Sequence, residues 1–323
     1  MDRHQTIFVL SDIHYASPAE QQRGVTEFEV ISNALLRWSV RVYRHFVWRR
    51  DPFAHNHLLD RFIREAGSAD LIIANGDYSC DTAFIGLSDP PSFESARTCL
   101  EKLRSGFGER ALFTIGDHEL GKMSLFGNRG GLRIASWGRS LELKLDPFWC
   151  REVGEHVLMG VTSSLLALPV FEPEILPEER AAWLKLRELH LGKIRQAFNS
   201  LHPSQRVLLF CHDPTALPFL WREEAVHSRL HQITRTIIGH LHSNMFLWES
   251  RLLSGMPRIG FLGNSIRRMS AALNEARHWQ AFRARLCPSL AGIELLKDGG
   301  YLRIDLPPLA HQTHSIQSCR LGA

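Results

Sequence analysis

The sequence Thr6-Ile7-Phe8-Val9-Leu10-Ser11-Asp12-Ile13-His14 carries a short apolar run directly into an aspartate and a histidine. A short run that is rich in apolar and β-branched residues and ends at a polar turn predicts a buried β-strand. Asp12 and His14 stand two positions apart, so their side chains point the same way on an extended chain. The stretch therefore predicts a strand whose carboxyl end presents an acid and an imidazole side by side.

Four more buried strands with polar ends are predicted further along the chain. Their apolar runs lie at 71–74, 111–115, 207–211 and 236–239. The motifs that follow them are Asn75-Gly76-Asp77, Gly116-Asp117-His118-Glu119, Cys211-His212-Asp213 and Gly239-His240-Leu241-His242. A single buried aspartate or histidine is usually a hydrogen-bonded structural residue. Five such strand ends in one chain indicate a shared site, because ligands bind outside the carboxyl ends of strands in α/β sheets.

The crowding of this site predicts bound cations. Eight of the carboxylate and imidazole groups in the five motifs would share one crevice, with like charges and lone pairs close together. Divalent cations relieve this repulsion, and carboxylates and imidazoles are common ligands for them. The pattern therefore favours a metal site.

The segments between the strands predict helices that cover the sheets. Apolar residues recur at three- and four-residue spacing at about 27–49, 56–66, 94–104, 178–199 and 266–286. A further apolar run at 157–161 predicts another strand. Alternating strands and helices are typical of an α/β domain. We expect one domain over 1–306 with an inserted helical segment at about 20–66, and a loosely ordered tail at 307–323.

The ordered motifs resemble those of the calcineurin-like metallophosphoesterases and cover most of the chain. They are Asp-x-His, Gly-Asp, Gly-Asp-His-Glu, a lone His and Gly-His-x-His. The resemblance implies a four-layer αββα sandwich with a helical insertion after the first strand, and two metals bridged by a carboxylate. It implies that His118 protonates the leaving oxygen or steadies the transferring phosphate. The implied metal ligands are Asp12, His14 and His242 for one ion, Asp117, His212 and His240 for the other, and Asp77 as the bridge.

Two adjacent metals explain why such residues would be assembled. Two cations about 3.5 to 4 Å apart clamp the attacking and leaving oxygens of an in-line displacement, and they lower the pKa of a bridging water toward neutral. A hydroxide nucleophile is then available at pH 7. Mixed imidazole and carboxylate ligands suit Mn, Fe or Zn better than Mg, which prefers all-oxygen octahedra. We expect two divalent ions, with Mn favoured.

The motifs depart from the metallophosphoesterase pattern at Asp117, where those proteins usually carry asparagine. Three carboxylates, two divalent ions and a bridging hydroxide sum to zero charge, one unit less positive than the asparagine version. A less positive site attracts a dianionic monoester less, which predicts a preference for diesters or pyrophosphates. The alternative is that this near-isosteric replacement changes nothing.

A second departure lies at Gly76-Asp77-Tyr78-Ser79-Cys80-Asp81. The metallophosphoesterases often carry Gly-Asp-x-x-Asp, whose second aspartate orients the catalytic histidine. Cys80 stands at that place, and Asp81 follows one residue later. Either Asp81 reaches His118 across a bulged loop, or it caps the following segment.

The long connection between the first two motifs is basic and aromatic. From Val30 to Arg50 it contains no acid, and it carries Arg37, Trp38, Arg41, Tyr43, Arg44, Phe46, Trp48, Arg49 and Arg50. Amphipathic helices of this composition bind anionic membrane surfaces. The segment 265–286 repeats the theme, and Phe219-Leu220-Trp221-Arg222 adds a third patch. The alternative is a packing helix with a solvated arginine edge.

These features predict a phosphoester or pyrophosphate hydrolase that acts on a membrane-associated lipid phosphate. In motif order and logic the chain is similar to the UDP-2,3-diacylglucosamine hydrolases, which cleave a pyrophosphate in a lipid-linked nucleotide. Arg129 and Arg133 follow the His118 motif on a glycine-rich loop and could bind a second phosphate by bidentate hydrogen bonds, unless the loop is only a flexible turn. A general lipid phosphatase, a cyclic-nucleotide or nucleic-acid phosphodiesterase and a catalytically silent protein-interaction scaffold stay open as alternatives.

Composition limits the class of protein without deciding its function. The chain has 323 residues, of which 44% are hydrophobic and 22% charged, which excludes disordered and fibrous classes. The net charge of +4 permits an anionic partner, but the sequence shows no aromatic stacking platform for nucleic acid. Six cysteines without a CxxC pair favour a reducing compartment. With neither a secretory signal nor a membrane-spanning run in the sequence, we expect a cytoplasmic protein in peripheral contact with the inner face of the membrane.

Overall fold

The computed structural model describes residues 4–24, 28, 31–125, 127–261, 263–309, 312 and 314–321. Within these residues, ten strands form two five-stranded sheets. In chain order the strands are β1 (Gln5–Leu10), β2 (Leu71–Asn75), β3 (Ala111–Thr114), β4 (Phe148–Val153), β5 (His156–Val161), β6 (Arg206–Cys211), β7 (Ile233–Ile238), β8 (Ala284–Leu286), β9 (Tyr301–Leu306) and β10 (Ser315–Cys319). The first sheet has the order β10-β9-β1-β2-β3, and the second has the order β4-β5-β6-β7-β8.

Thirteen α-helices lie in the described part of the chain. In chain order they are α1 (Pro18–Arg23), α2 (Ala34–Phe46), α3 (Asn56–Glu65), α4 (Pro90–Phe107), α5 (Asp117–Leu120), α6 (Ile134–Glu142), α7 (Ser163–Leu166), α8 (Leu168–Phe171), α9 (Arg180–Asn199), α10 (Leu217–Trp221), α11 (Glu224–His227), α12 (Asn244–Leu252) and α13 (Asn264–Asn274). The start of α4 has a local cause, because the Asp89 carboxylate accepts a hydrogen bond from Ser92 N at 3.0 Å and prolines follow Asp89.

The central strands are buried on both faces, which explains their unbroken apolar sequences. In β1, Ile7 and Val9 join a cluster between the sheets that includes Phe210 of β6. Phe8 and Leu10 point the other way and join a second cluster with residues of the covering helices. This alternation follows from the two-residue period of a strand, and parallel strands covered on both faces are typically apolar throughout. The predicted α/β sandwich of two sheets flanked by helices is confirmed.

Parallel pairing brings the polar strand ends together. In the first sheet, β1 pairs in parallel with β2, and β2 with β3. In the second sheet, β5, β6, β7 and β8 pair in parallel. A bridge between Ser11 and Ser289 joins the end of β1 to the chain beyond β8, so the carboxyl edges of the two sheets lie next to each other. The motifs at the ends of β1, β2, β3, β6 and β7 therefore share one region.

Two expectations about the later part of the chain are wrong. The segment 266–286 is not one helix, because α13 ends at Asn274 and 284–286 forms β8 beside β7. The tail at 307–323 is not loosely ordered throughout, because 315–319 forms β10 and pairs with β9. Both strands are too short for their pattern to separate strand from helix or loop.

The insertion after β1 is mainly helical in its described residues, with irregular stretches at 31–33 and 47–55. It contains α1, α2 and α3, and α2 is shorter than the predicted helix over 27–49. Val30, at the start of the basic segment, lies outside the described residues, as do 25–27 and 29. The extent of the domain over 1–306 stays a prediction. Among the described residues, no helix combines the length and the apolar character that crossing a membrane requires.

Candidate metal centre

The eight predicted site residues lie together at the adjoining carboxyl edges of the two sheets. Two sets of side chains each offer ligand atoms within 4.8 Å of one another. The first, here called the three-residue group, consists of Asp12, His14 and His242. The second, here called the four-residue group, consists of Asp77, Asp117, His212 and His240. A third set, His14, Asp77 and His118, overlaps both groups, so the two lie side by side.

Distances within the four-residue group are short. His212 Nε2 lies 3.1 Å from Asp77 Oδ2 and 3.2 Å from Asp117 Oδ1. His240 Nδ1 lies 3.0 Å from the same Asp117 oxygen. One carboxylate oxygen is therefore shared by two imidazoles.

The three-residue group is more open. His242 Nε2 lies 3.3 Å from Asp12 Oδ1, and His14 Nε2 lies 3.9 Å from the same atom. The rings of His14 and His242 stack with their centroids 5.1 Å apart. The group thus has one carboxylate between two imidazoles.

The backbone at the strand ends adopts unusual conformations to turn these side chains into one space. Positive φ angles occur at Asp12 (51°), His14 (49°), Asp77 (62°), His240 (60°) and His242 (60°). Such angles are uncommon outside glycine, although Asp and His adopt them more often than most residues. Neighbouring loops hold each other in place, since Asp12 N and His14 N donate to the carbonyls of Gly76 and Asp77 at 3.1 and 3.0 Å.

Glycines provide the space that the acids and imidazoles occupy. A Cβ atom on Gly116 would lie 2.2 Å from Asp77 Oδ1. A Cβ atom on Gly239 would lie 2.1 Å from Ser11 Oγ and 2.8 Å from Asp12 Oδ2. These distances are far below van der Waals contact, so glycine is required for the ligands to approach so closely.

Glu119 organises the loops, a role that the sequence analysis did not assign. Its carboxylate accepts hydrogen bonds from the backbone N–H groups of Asp77, Tyr78 and Gly116 at 2.8 to 2.9 Å. Burial, and then the nearby charge of Asp77, raise the pKa of Glu119 to about 8. Glu119 therefore ties the end of β2 to the end of β3.

Tautomers in the site fit metal binding. The carbonyl oxygens of Ser79 and Asn75 lie 3.2 and 2.6 Å from Nδ1 of His14 and His212. Because a carbonyl only accepts hydrogen bonds, each contact places the proton on Nδ1 and leaves the Nε2 lone pair facing the group. Histidines that bind metals usually donate their other N–H in this way.

The buried charges of the site also fit a metal. His14 Nε2 is buried and has no hydrogen-bond partner among the described residues. Burial, helped by Arg49, lowers the pKa of His14 well below its usual value. For His212 burial acts in the same direction, but the carboxylates of Asp77 and Asp12 outweigh it and raise the pKa. Imidazoles and carboxylates packed in this way could hold two divalent cations, whose charge would take the place of the proton on His212.

Three residues that the sequence did not predict as part of the site lie beside the two groups. Lys122 Nζ lies 3.3 Å from Asp117 Oδ2. Arg49 Nη2 lies 3.1 Å from His242 Nδ1 and donates to Ser289 Oγ. Trp48 packs its ring against His242 with the centroids 4.6 Å apart. Trp48 and Arg49 belong to the basic, aromatic segment that the sequence predicts to face a membrane, and for Arg49 this prediction is wrong, because only 6% of its surface is exposed.

The structure decides between the two alternatives for Asp81. Its Oδ1 accepts a hydrogen bond from Gly86 N at 3.0 Å, at the start of a short 3₁₀ turn. The place beside His118 Nδ1 is taken by the Cys80 carbonyl at 2.9 Å. Asp81 therefore caps the following segment, and a backbone carbonyl orients His118.

The two candidate phosphate-binding arginines do not join the groups. Arg129 is exposed, and its backbone pairs with Ser124: Arg129 N donates to Ser124 Oγ at 3.0 Å, and Ser124 N donates to the Arg129 carbonyl at 2.8 Å. The guanidinium of Arg133 donates to the carbonyls of Leu132 and Gly130, each at 2.9 Å. Arg133 thus stabilises its own loop, and a role for either arginine in binding substrate stays a prediction.

Solved structures with a similar fold include phosphatases from distant organisms. A dimetal phosphatase from Danio rerio shares 14% identity over 97% of this chain and 95% of its own, with a TM-score of 0.48. A phosphopantetheinyl hydrolase from Mycobacterium tuberculosis shares 14% over 75% of this chain and 84% of its own, with a TM-score of 0.35. A purple acid phosphatase from yellow lupin, Lupinus luteus, shares 12% with a TM-score of 0.38, and the match spans 75% of this chain but 38% of that protein.

Two of these neighbours are named as phosphatases and the third as a hydrolase. No protein-family model matches the chain, and no curated protein matches it significantly. At such low identities and TM-scores, structural similarity does not carry an activity from one protein to another. The function therefore rests on the geometry of the two groups.

Proposed function

We propose that this chain is a dinuclear-metal-dependent hydrolase of phosphoester or pyrophosphate bonds. The observation that carries the proposal is the meeting of the three-residue and four-residue groups beside a further imidazole, that of His118. His118 Nε2 lies 3.8 Å from Asp77 Oδ2, so a phosphoryl group bound between the two groups would be within its reach. In-line phosphoryl transfer needs both a cationic clamp and a group that carries a proton to the leaving oxygen.

Each group would hold one cation in this proposal. The ligands would be Asp12, His14 and His242 for one ion, Asp117, His212 and His240 for the other, and Asp77 between them. Two divalent cations there would supply a water of lowered pKa and would neutralise charge on the phosphoryl oxygens. The mixed ligand set favours Mn over Mg, with Fe and Zn as competing ions.

His118 is the residue that we propose to handle the proton. The Cys80 carbonyl holds the proton on Nδ1, so Nε2 faces the site. Burial, followed by the charge of Lys122, lowers the pKa of His118 to about 4, so the ring is neutral before substrate binds. A phosphoryl anion next to Nε2 favours the charged ring. His118 would therefore gain a proton as the substrate enters and donate it to the leaving oxygen.

Turnover of an artificial diester tests the reaction class. Purified protein should hydrolyse bis(p-nitrophenyl) phosphate with added Mn, lose the activity with chelator, and contain two ions per chain by elemental analysis. Parallel samples reloaded with Fe, Zn or Mg identify the preferred ion. A folded, metal-loaded protein that turns over no phosphoester would support the protein-interaction scaffold instead.

For the substrate, we propose a lipid-linked phosphate or pyrophosphate that is reached from an anionic membrane surface. Helix α2 buries only Val40 and exposes Leu35, Trp38 and Phe46 to 73%, 63% and 61%. Arginines alternate with these apolar residues along the helix and no acid lies among them. Apolar side chains with interspersed arginines match the acyl boundary and the phosphates of an anionic bilayer.

The position of α2 supports the same substrate. The chain that follows α2 packs Trp48 against both His242 and Phe246, the latter on α12, with centroids 4.6 and 5.5 Å apart. Helix α12 itself exposes Trp248 and Leu252. A bilayer that met α2 and α12 would therefore lie close to the three-residue group.

A lipid assay with a matched variant tests the substrate. Membrane lipid extract is incubated with the protein, and mass spectrometry identifies the phosphorylated species that disappear, with UDP-2,3-diacylglucosamine as a direct candidate. The double variant Trp38→Ser/Phe46→Ser should lose lipid turnover but keep hydrolysis of the soluble diester, whereas the control Leu189→Ser, on exposed α9 surface, should keep both. Consumption of cyclic nucleotides or nucleic acid without any change in lipids would overturn the lipid proposal.

A further inference from the structure

A cationic cavity is lined in part by Arg49, the residue whose guanidinium also contacts His242. Its volume is about 210 Å³. Its walls come from the chain after α2, from α3, from the segment 290–299 and from the last described residues. Four cationic side chains, Arg49, Arg61, Lys297 and Arg320, line it together with one carboxylate, that of Glu294.

The single carboxylate of the wall does not offset these charges. Glu294 Oε1 lies 3.3 Å from Lys297 Nζ and 3.9 Å from an Arg50 nitrogen, so two cations already share it. Asp298 belongs to the same segment but does not line the cavity, and its two oxygens accept hydrogen bonds from Ile293 N and Ser243 Oγ. The cavity therefore keeps an excess of positive charge in a partly enclosed space, where an anion is attracted more strongly than on an open surface.

Arg49 gives an independent indication of a ligand. The residue is 6% exposed, and its Nε is buried without a hydrogen-bond partner among the described residues. Its Nη2 is already engaged by Ser289 Oγ and His242 Nδ1. A buried donor without a partner costs free energy, and a donor on a guanidinium costs more than a neutral one. Arg49 lines the cavity, so an anion bound there would lie beside this guanidinium.

We infer that this cavity is a binding site for a phosphate-bearing dianion, separate from the metal centre. Guanidinium groups bind phosphate oxygens through paired, charge-assisted hydrogen bonds, which is the chemistry that Arg49 and its neighbours provide. Leu58, Leu290 and Leu321 form an apolar part of the wall beside them. The site therefore suits either inorganic phosphate or the phosphate of a small organic ester.

Phosphate binding to the full chain tests the site. Because the metal centre would also attract phosphate, equilibrium dialysis with labelled inorganic phosphate is done with chelator present, in wild type and in Asp77→Asn, so that neither protein holds a metal ion. The variant should still bind one phosphate per chain. This arm also separates the inference from the proposed function, since phosphate binding by Asp77→Asn does not depend on metal or turnover.

Variants of the cavity wall locate the bound phosphate. In the Asp77→Asn background, Lys297→Ala/Arg320→Ala should weaken phosphate binding about tenfold or more, because two charge-assisted contacts are lost. The control Lys185→Ala/Arg285→Ala removes the same charges from exposed positions on α9 and β8 and should change nothing. Absence of phosphate binding in Asp77→Asn at millimolar phosphate, or equal affinities of the wall and control variants, would overturn the inference.

A second ligand distinguishes the two sources of phosphate. sn-Glycerol 3-phosphate is titrated in competition with labelled phosphate. Tighter binding of the ester than of inorganic phosphate identifies an organic phosphate whose carbon atoms contact the leucines. Weaker binding identifies free phosphate as the ligand.

Discussion

The two ligand groups differ in charge although they lie side by side. The four-residue group has two carboxylates, and Asp77 and Asp12 raise the pKa of its His212 against the effect of burial. The three-residue group has one carboxylate, and burial together with Arg49 lowers the pKa of both its histidines. A divalent cation is therefore stabilised more by the two carboxylates of the four-residue group than by the single carboxylate of the three-residue group. The comparison teaches that neighbouring sites in one crevice need not have equal affinity.

The groups also differ in what supports their histidines. His212 faces a carbonyl through Nδ1, whereas His242 faces the guanidinium of Arg49. A guanidinium only donates hydrogen bonds, so this contact favours the proton on Nε2 of His242, the atom that points to Asp12. A cation in the three-residue group must displace that proton.

The largest expected effect comes from Asp77, which lies near both groups. Asp77→Asn keeps the shape and tolerates the positive φ, but it removes a charge that both groups use. We expect turnover of bis(p-nitrophenyl) phosphate to fall by more than about 10²-fold, beyond the usual effect of a residue that only supports a ligand. Elemental analysis should show fewer than two ions per chain. Retention of both ions with full activity would contradict the claim that both groups use the charge of Asp77.

His118 should matter for turnover but not for metal content. His118→Gln removes the proposed proton donor, and we expect a fall in kcat of about 10²- to 10⁴-fold, the range for general acid catalysis. The variant should keep both ions, because His118 belongs to neither group. A loss of metal equal to that of Asp77→Asn would instead make His118 a ligand.

Graded removal of metal tests the difference in affinity directly. With increasing chelator, the two ions should leave in separate steps, and their affinities should differ by about 10- to 100-fold, as partners of metal-binding histidines can produce. His242→Ala should remove the weak step and His240→Ala the tight one. Both are measured as ions retained per chain against chelator concentration. A single step for both ions would show that the groups are equivalent.

A smaller effect is expected at Gly239, which separates the groups. A Cβ atom there would lie 2.1 Å from Ser11 Oγ and 2.9 Å from His212 Nδ1, so Gly239→Ala presses on both sides. We expect the free energy of unfolding to fall by about 1–3 kcal/mol in denaturant titration, as for overpacked sites. Gly192→Ala is the control, since nothing lies within 4 Å of its added atom and alanine favours the α9 helix.

The smallest effect is expected from Asp117, because Lys122 offsets its charge. Lys122 Nζ lies 3.3 Å from Asp117 Oδ2, so the additional acid comes with an additional cation. We expect Asp117→Asn to change the ratio of diester to monoester turnover by less than about tenfold, and Lys122→Ala to shift the ratio toward the diester. A large shift in Asp117→Asn alone would restore the preference predicted from the sequence.

The parts that could be predicted from the sequence depend on short, local patterns. The motif at Asp12 and His14 follows its strand directly, and so do those at Asp77 and His212, so a strand prediction is enough to place them at one edge. The sandwich follows from the same strands, because apolar runs without alternation imply cover on both faces.

The features that could not be predicted from the sequence depend on contacts between segments that are far apart in the chain. Arg49 reaches His242 across 193 positions, and the next residue in the sequence, Arg50, is an exposed arginine. Nothing local separates a buried guanidinium from a solvated one. Lys122 carried a usable signal, since it lies five residues after Asp117 and the additional acid called for a partner. The strand β10 had none, because its pairing with β9 is set by the sheet and not by its own five residues.

The positive φ angles at the ligands make the folding stability of the protein depend on bound ions. Each such angle costs of the order of 1–3 kcal/mol, and bound cations would repay this cost only while they are present. Depleted molecules would open more often and would be removed by cellular proteases, which sample the unfolded population. We therefore expect that cells starved of metal contain fewer copies of this chain. Metal availability would then control the amount of the protein without a dedicated sensor.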